Sequence, residues 1–203
     1  KAAEIGGLPE YSAQFQKLFP DKGASVDTIA AAVASYERTL LCADTAFDRF
    51  VQGDDHALTS QQKQGWDLFK GKAMCNACHV PPFFSDAFLS DQGAFHNTGR
   101  GTVGKAEPQI DSGRIKVTQN PGDWAAFKTP SLRDITRSAP YFHDGSVPTL
   151  REAVVFMAKG GAKNRNLDVR LVDAKLSPAE ISSLIAFLGS LECTGRLSPL
   201  AAH

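Results

Sequence analysis

The sequence predicts a mainly α-helical protein whose helices are joined by long irregular loops. Three observations carry that expectation: four segments with helical periodicity and capping residues, a stretch from Pro81 to Pro148 broken throughout by Gly and Pro, and one C-x-x-C-H motif just after the second helical segment. Val26 to Leu41 is rich in alanine and apolar at helical spacing (Ile29, Val33, Tyr36, Leu40), with Ser25 or Asp27 near its start. Thr59 to Lys70 opens on a T-x-x-Q capping box, Thr59 with Gln62, and carries Trp66 and Phe69 towards the cysteines. Thr149 to Ala158 opens on a T-x-x-E box, Thr149 with Glu152. Ser177 to Leu191 has Ser at the cap, Pro178 at the first helical position and Glu180 closing the box. Its residues Ile181, Leu184, Ile185 and Leu188 form one apolar stripe.

Between the second and third helices, segments such as Asn97 to Lys105 and Thr118 to Trp124 have loop chemistry. Phe83, Phe84, Phe88, Phe95, Trp124 and Phe127 are interleaved through this stretch. An irregular segment so rich in aromatics implies a folded wrap around a large flat apolar object. Cys75-Asn76-Ala77-Cys78-His79 names that object. Two thiols three positions apart can each add to a haem vinyl group, and the next residue is a histidine able to ligate the iron. A zinc knuckle would need a second such pair, and the sequence has none. A redox dithiol belongs at a strand-to-helix turn, whereas a helix precedes Cys75 here.

Apolar residues make up 42%, and 22 basic residues balance 22 acidic ones. A zero formal charge argues against a nucleic-acid binder or a protein held on anionic lipid by charge. No apolar run is long enough to span a bilayer. The chain opens on Lys1-Ala2-Ala3-Glu4 without a signal peptide. Covalent haem attachment in bacteria takes place outside the cytoplasm, so a removed targeting segment and a periplasmic location are expected. An oxidising compartment would let Cys42 and Cys193 form a disulfide, and two separate buried thiols are the alternative.

The second face of the iron could take His96, His143, His203 or Met157, while Met74 touches the motif and is too close in sequence to cross over. Met157 lies in the third helix beside Phe156 and before Gly160-Gly161. A methionine on an apolar face is often plain core, so the residues alone leave the choice open. Methionine ligation would raise the potential relative to bis-histidine ligation and favour electron transfer over chemistry on peroxide.

Further landmarks run along the chain: Tyr36-Glu37-Arg38-Thr39-Leu40, Phe47-Asp48-Arg49-Phe50 with Gly53-Asp54, then the cysteine motif and Phe95-His96-Asn97-Thr98-Gly99. They continue with Phe127-Lys128-Thr129-Pro130-Ser131-Leu132-Arg133, then Ala139-Pro140-Tyr141-Phe142-His143-Asp144-Gly145 and Thr149-Leu150. In order and spacing the set resembles the bacterial di-haem cytochrome c peroxidases and the related MauG-type proteins, over about Glu10 to Leu191. The match is to their C-terminal, electron-transfer haem domain. The resemblance implies a cytochrome-c-like haem domain over residues 56–203, preceded by a helical segment, 1–55, that packs on a peroxidatic haem domain. The C-terminal helix would return to the N-terminal region. It implies one covalent haem c on Cys75 and Cys78, with His79 proximal and Met157 distal, where MauG-type proteins have a tyrosine. It also implies a calcium ion on the backbone carbonyls of Ser138 and Pro140, and propionate contacts from Arg133 and Lys128. The implied partners are a small electron donor (a cytochrome or a copper protein) and a second haem domain or subunit, and a homodimer is compatible with the resemblance. The departure is that this sequence holds a single C-x-x-C-H and so lacks the haem that would split peroxide. A longer parent chain, a split enzyme and a stand-alone monohaem relay are the three explanations.

Overall fold

The computed structural model describes residues 1–40, 42–89 and 94–193, and His203 lies outside them. These residues fold as eight α-helices, several single 3-10 turns and one two-stranded sheet, which bears out the mainly α expectation. They divide into two compact units, Lys1–Cys42 and the part from Ala43 onward.

The first unit holds α1 (Ala2–Gly6), α2 (Pro9–Leu18) and α3 (Val26–Glu37). Sequence periodicity locates only α3 of these. Its start is the Ser25 cap, with Ser25 and Thr28 exchanging side-chain and backbone hydrogen bonds. It stops short of the expected end because the bonds Thr39 N–H to Tyr36 O and Leu40 N–H to Glu37 O tighten the chain out of the α geometry.

The second unit holds α4 (Ala46–Val51), α5 (Ser60–Lys70), α6 (Ile115–Thr118), α7 (Leu150–Ala158) and α8 (Pro178–Gly189). Capping boxes open α4 (Thr45/Asp48), α5 (Thr59/Gln62), α7 (Thr149/Glu152) and α8 (Ser177/Glu180). The unit begins at Ala43 and so takes in residues that the sequence groups with the N-terminal segment. The physical reason is Phe47, 3% exposed in the second unit's core, with its N–H on Ser190 O at 3.1 Å.

The core lies where α5 crosses α8. Phe47, Phe69, Phe84 and Phe187 are buried there with Leu58, Leu184, Leu188 and Leu191, and Trp66 packs against them. The rings meet edge-on or tilted, Phe47 on Trp66 at 4.9 Å and Phe69 on Phe187 at 5.1 Å. Gly65 permits the crossing, because a Cβ there would lie 2.0 Å from the Ser183 carbonyl oxygen. The sheet pairs β1 (Phe95–His96) with β2 (Phe127–Lys128) antiparallel, Phe95 opposite Lys128 and His96 opposite Phe127. Among the described residues no helix is long and apolar enough to cross a membrane. Cys42 and Cys193 are disulfide-bonded, while Cys75 and Cys78 are free thiols.

Candidate haem site

After α5, Met74 adopts a left-handed conformation (φ 52°) and turns the chain into a 3-10 turn over Cys75–Ala77. The bonds Ala77 N–H to Met74 O, Cys78 N–H to Cys75 O and His79 N–H to Cys75 O wind residues 74–79 into one tight turn. Both thiols and the histidine are thereby fixed within a single local structure. Burial pushes the Cys75 thiol up to about 12, so it is held as S–H.

His79 is oriented by its backbone surroundings. Its Nδ1 lies 2.9 Å from Phe84 O. A carbonyl only accepts, so Nδ1 carries the hydrogen of this bond, and the Pro130 backbone hydrogen-bonds the ring as well. Burial pushes the imidazole pKa down, against the hydrogen bond to Phe84, and holds the ring neutral. A neutral imidazole whose Nδ1–H is held by a backbone carbonyl is the form a metal ligand takes. With two unpaired thiols on the same turn, the donor set fits a covalently attached haem.

The loop carrying Phe84 is itself held at several points. Ser85 Oγ donates to Thr129 O (2.8 Å), Ser131 Oγ to Phe83 O (2.6 Å) and Arg133 Nε to Pro82 O (2.8 Å). The Arg133 guanidinium makes a two-pronged pair with Asp48, at 2.8 and 2.7 Å, and both side chains are largely buried. Arg133 thus engages Asp48. Lys128 Nζ donates to Thr129 O at 2.9 Å.

Beside Cys78 lies an ionic network that sequence inspection does not find. His96 places Nε2 2.7 Å from Asp86 Oδ2 and Nδ1 2.9 Å from Asp168 Oδ2, and Arg170 pairs with Asp168. Hydrogen bonds from the ring to the Cys78 sulfur and to Asp86 raise His96 to about 9 against desolvation, so it is a cation. With both ring nitrogens committed to carboxylates, His96 is poorly suited to be a distal iron ligand. Asp86 Oδ1 is buried with no hydrogen-bond partner among the described residues. The only signal in the sequence is the F-H-N-T-G landmark. The two carboxylates that enclose its histidine lie 10 and 72 positions away, beyond the reach of any local pattern.

Met157 sits half-buried near the end of α7, where its carbonyl accepts the Gly160 N–H at 2.9 Å. The chain just beyond it is stitched to residues 97–99. Ala162 N–H bonds Thr98 O at 3.1 Å, Asn97 and Asn164 exchange side-chain bonds, and Asp168 N–H bonds Asn97 O. Gly99 and Gly161, both at positive φ, bring those backbones together, since a Cβ on Gly99 would lie 1.9 Å from Ala162 O. His143 stacks flat on Phe127 at 3.6 Å. Ser138 and Pro140 lie exposed on either side of Ala139, and the Ala139–Pro140 bond is cis. Phe84 and Trp124 are buried, whereas Phe83 and Phe88 form an exposed ring pair at 5.1 Å.

Comparison with known proteins places this chain in a family. A family model for the di-haem cytochrome c peroxidases matches residues 2–56, and one described as RoxA-like, cytochrome c-like matches residues 126–155. The cytochrome-c peroxidase IdrP1 of Pseudomonas sp. strain SCT is 35% identical over 205 residues, covering 91% of this chain and 54% of its own length. The methylamine utilization protein MauG of Methylorubrum extorquens is 35% identical over 191 residues, covering 93% of this chain and 51% of its own. A solved MauG-like protein associated with microbial copper homeostasis superposes with a TM-score of 0.73 at 30% identity, over 91% of this chain and 62% of that one. The chain spans about half the length of the curated relatives it matches. Similarity along nearly the whole chain, and a shared fold, agree with a turn that offers two thiols and a neutral imidazole: the chain belongs to the di-haem cytochrome c peroxidase and MauG family.

Proposed function

We propose that this chain is the electron-transfer haem domain of a di-haem cytochrome c peroxidase-like protein. It receives electrons from a small donor, a cytochrome or copper protein, and passes them to a peroxide-reducing haem outside this chain. The observation that carries this reading is the His79 ring, half-buried, held neutral and fixed by the Phe84 carbonyl and the Pro130 backbone, beside two free thiols. The bound haem supplies one-electron transfer, and the polypeptide supplies ligands, burial and hydrogen bonds that set its potential. Cys75 and Cys78 would hold it covalently through their sulfurs, and His79 and Met157 would be the residues that ligate its iron.

Several features support the finer points. Methionine at position 157, half-buried on α7, favours the peroxidase reading over MauG-like maturation, which the equal identity to MauG keeps as the second reading. The first unit buries little beyond Phe15 and Thr28 and exposes Leu8, Tyr11, Leu18, Val26, Val33 and Tyr36, as a segment meant to pack on a second haem domain would. Disulfide-bonded Cys42 and Cys193 support a periplasmic location. The carbonyls of Ser138 and Pro140 would contribute to a calcium site.

Intact mass and haem-to-protein ratio of the native protein test this directly. The expected result is one covalent haem on this chain and a second in its particle, and a single haem in the whole particle would favour a stand-alone relay. Met157→Ala is expected to abolish the sulfur-to-iron charge-transfer band of the oxidised protein and lower its potential. An unchanged band and potential would remove Met157 from the ligand set.

A further inference from the structure

Resting on the reading that His79 ligates haem iron, we propose that residues 129–133 form a strap that positions that histidine, with Ser131 and Arg133 as its positioning residues. The strap grips the 80–85 loop at alternate residues. Thr129 O accepts from Ser85 Oγ, Ser131 Oγ donates to Phe83 O, and Arg133 Nε donates to Pro82 O. Phe84, whose carbonyl accepts the His79 Nδ1–H, is bracketed by two of these contacts. Asp48 anchors the far end by fixing the Arg133 guanidinium through both prongs, and Asp48 is itself held in the capping box of α4.

The loop needs such a grip because Phe84 is strained. Its φ of 52° is a left-handed conformation that a phenylalanine rarely adopts, and it persists only where the surroundings over-determine it. The fully buried ring fixes the side chain among Phe47, Trp66 and Phe69, but a ring does not set the direction of the carbonyl that follows it. The strap does, by holding the Phe83 carbonyl and the Ser85 side chain on either side, and its Pro130 backbone hydrogen-bonds the His79 ring as well. If it slackens, Phe84 relaxes and its carbonyl turns away from Nδ1. An imidazole with a weaker Nδ1–H bond is less electron-rich and stabilises ferric iron less, so the potential rises.

The test uses the full chain with haem attached, in Ser131→Ala, Ser131→Thr, Arg133→Lys and Asp48→Asn forms. Midpoint potential, the low-spin ferric EPR g-values and the thermal midpoint are recorded for each. Ser131→Ala and Arg133→Lys are expected to shift the ferric–ferrous equilibrium several-fold towards ferrous iron and to change the g-values, with Ser131→Thr returning both to the parent values. Unchanged potentials and g-values, with only the thermal midpoint lowered, would overturn the proposal. Ser131→Ala removes one hydroxyl at an exposed position, so it folds and reports even where Arg133→Lys does not. His79→Gly separates the two levels: if it keeps the parent spectrum and potential, the ligand assignment fails, whatever the strap variants show.

Discussion

At the scale of single residues, the Asp48–Arg133 pair has the clearest pH signature. The guanidinium hydrogen bonds lower the Asp48 carboxyl to about 2, against the desolvation that burial imposes. Because the folded pKa is depressed, the stabilisation is fully present above the unfolded carboxylate pKa near 3.8 and is lost as pH falls through about 2. Asp48→Asn leaves part of the buried guanidinium unsatisfied, and is expected to cost about 1–3 kcal/mol at neutral pH. Its stability should then fall less steeply between pH 4 and 2 than that of the parent, as melts across that range would show. Equal slopes would mean that Asp48 is protonated without consequence for the fold. Asp168, lowered to about 2 chiefly by Arg170, titrates in the same window and remains in both proteins, so the difference in slope isolates Asp48.

Among the elements, the α5–α8 crossing depends on one hydrogen atom in place of a side chain. A Cβ at position 65 would meet the Ser183 carbonyl oxygen at 2.0 Å and Phe187 Cβ at 2.6 Å, and the first of these is backbone that cannot swing aside. Gly65→Ala is therefore expected to force the helices apart and cost about 3 kcal/mol. Gly189, at the end of α8, has open space around its Cβ direction. Gly189→Ala should instead stabilise by roughly 0.5–1 kcal/mol through the unfolded-chain entropy it removes. Denaturant midpoints of the two variants should move in opposite directions, and movement in the same direction would mean that helix propensity rather than interhelical distance governs position 65. Caps behave more locally: Ser177→Ala deprives α8 of its box with Glu180 and is expected to cost about 1 kcal/mol.

For the molecule as a whole, a single aromatic cluster joins the fold to the site. Phe187, fully buried, touches the rings of Phe47, Trp66, Phe69 and Phe84, so it links α4, α5, α8 and the loop that orients His79. Phe187→Ala is expected to cost about 3–5 kcal/mol. It should also weaken the Phe84 carbonyl's hold on Nδ1, visible as broadened or shifted His79 ring resonances. A stability loss with unmoved resonances would show that the core and the ligand loop are uncoupled.

The local features of this protein were legible in the sequence because their physics is local. Capping boxes are exchanges between residues three apart, so the starts of α3, α5, α7 and α8 could be read to within a residue, and the C-x-x-C-H turn carries its own chemistry. Helix ends were overshot where bonds between residues three apart took over, and α1, α2, α4 and α6 escaped notice because they are short or weakly patterned. Charge partners were out of reach. Arg133 reads as a loop cation available to a propionate, and only folding brings it to Asp48, 85 residues earlier. His96 reads as one more candidate ligand, and only folding encloses it between Asp86 and Asp168. The sequence by itself determined the helix caps, the attachment motif and the family. The tertiary structure alone decided which carbonyl faces His79, which ions pair and where the compact unit begins. Those depend on groups far apart in the chain, whose meeting is selected by the packing of the whole core rather than by any window of sequence.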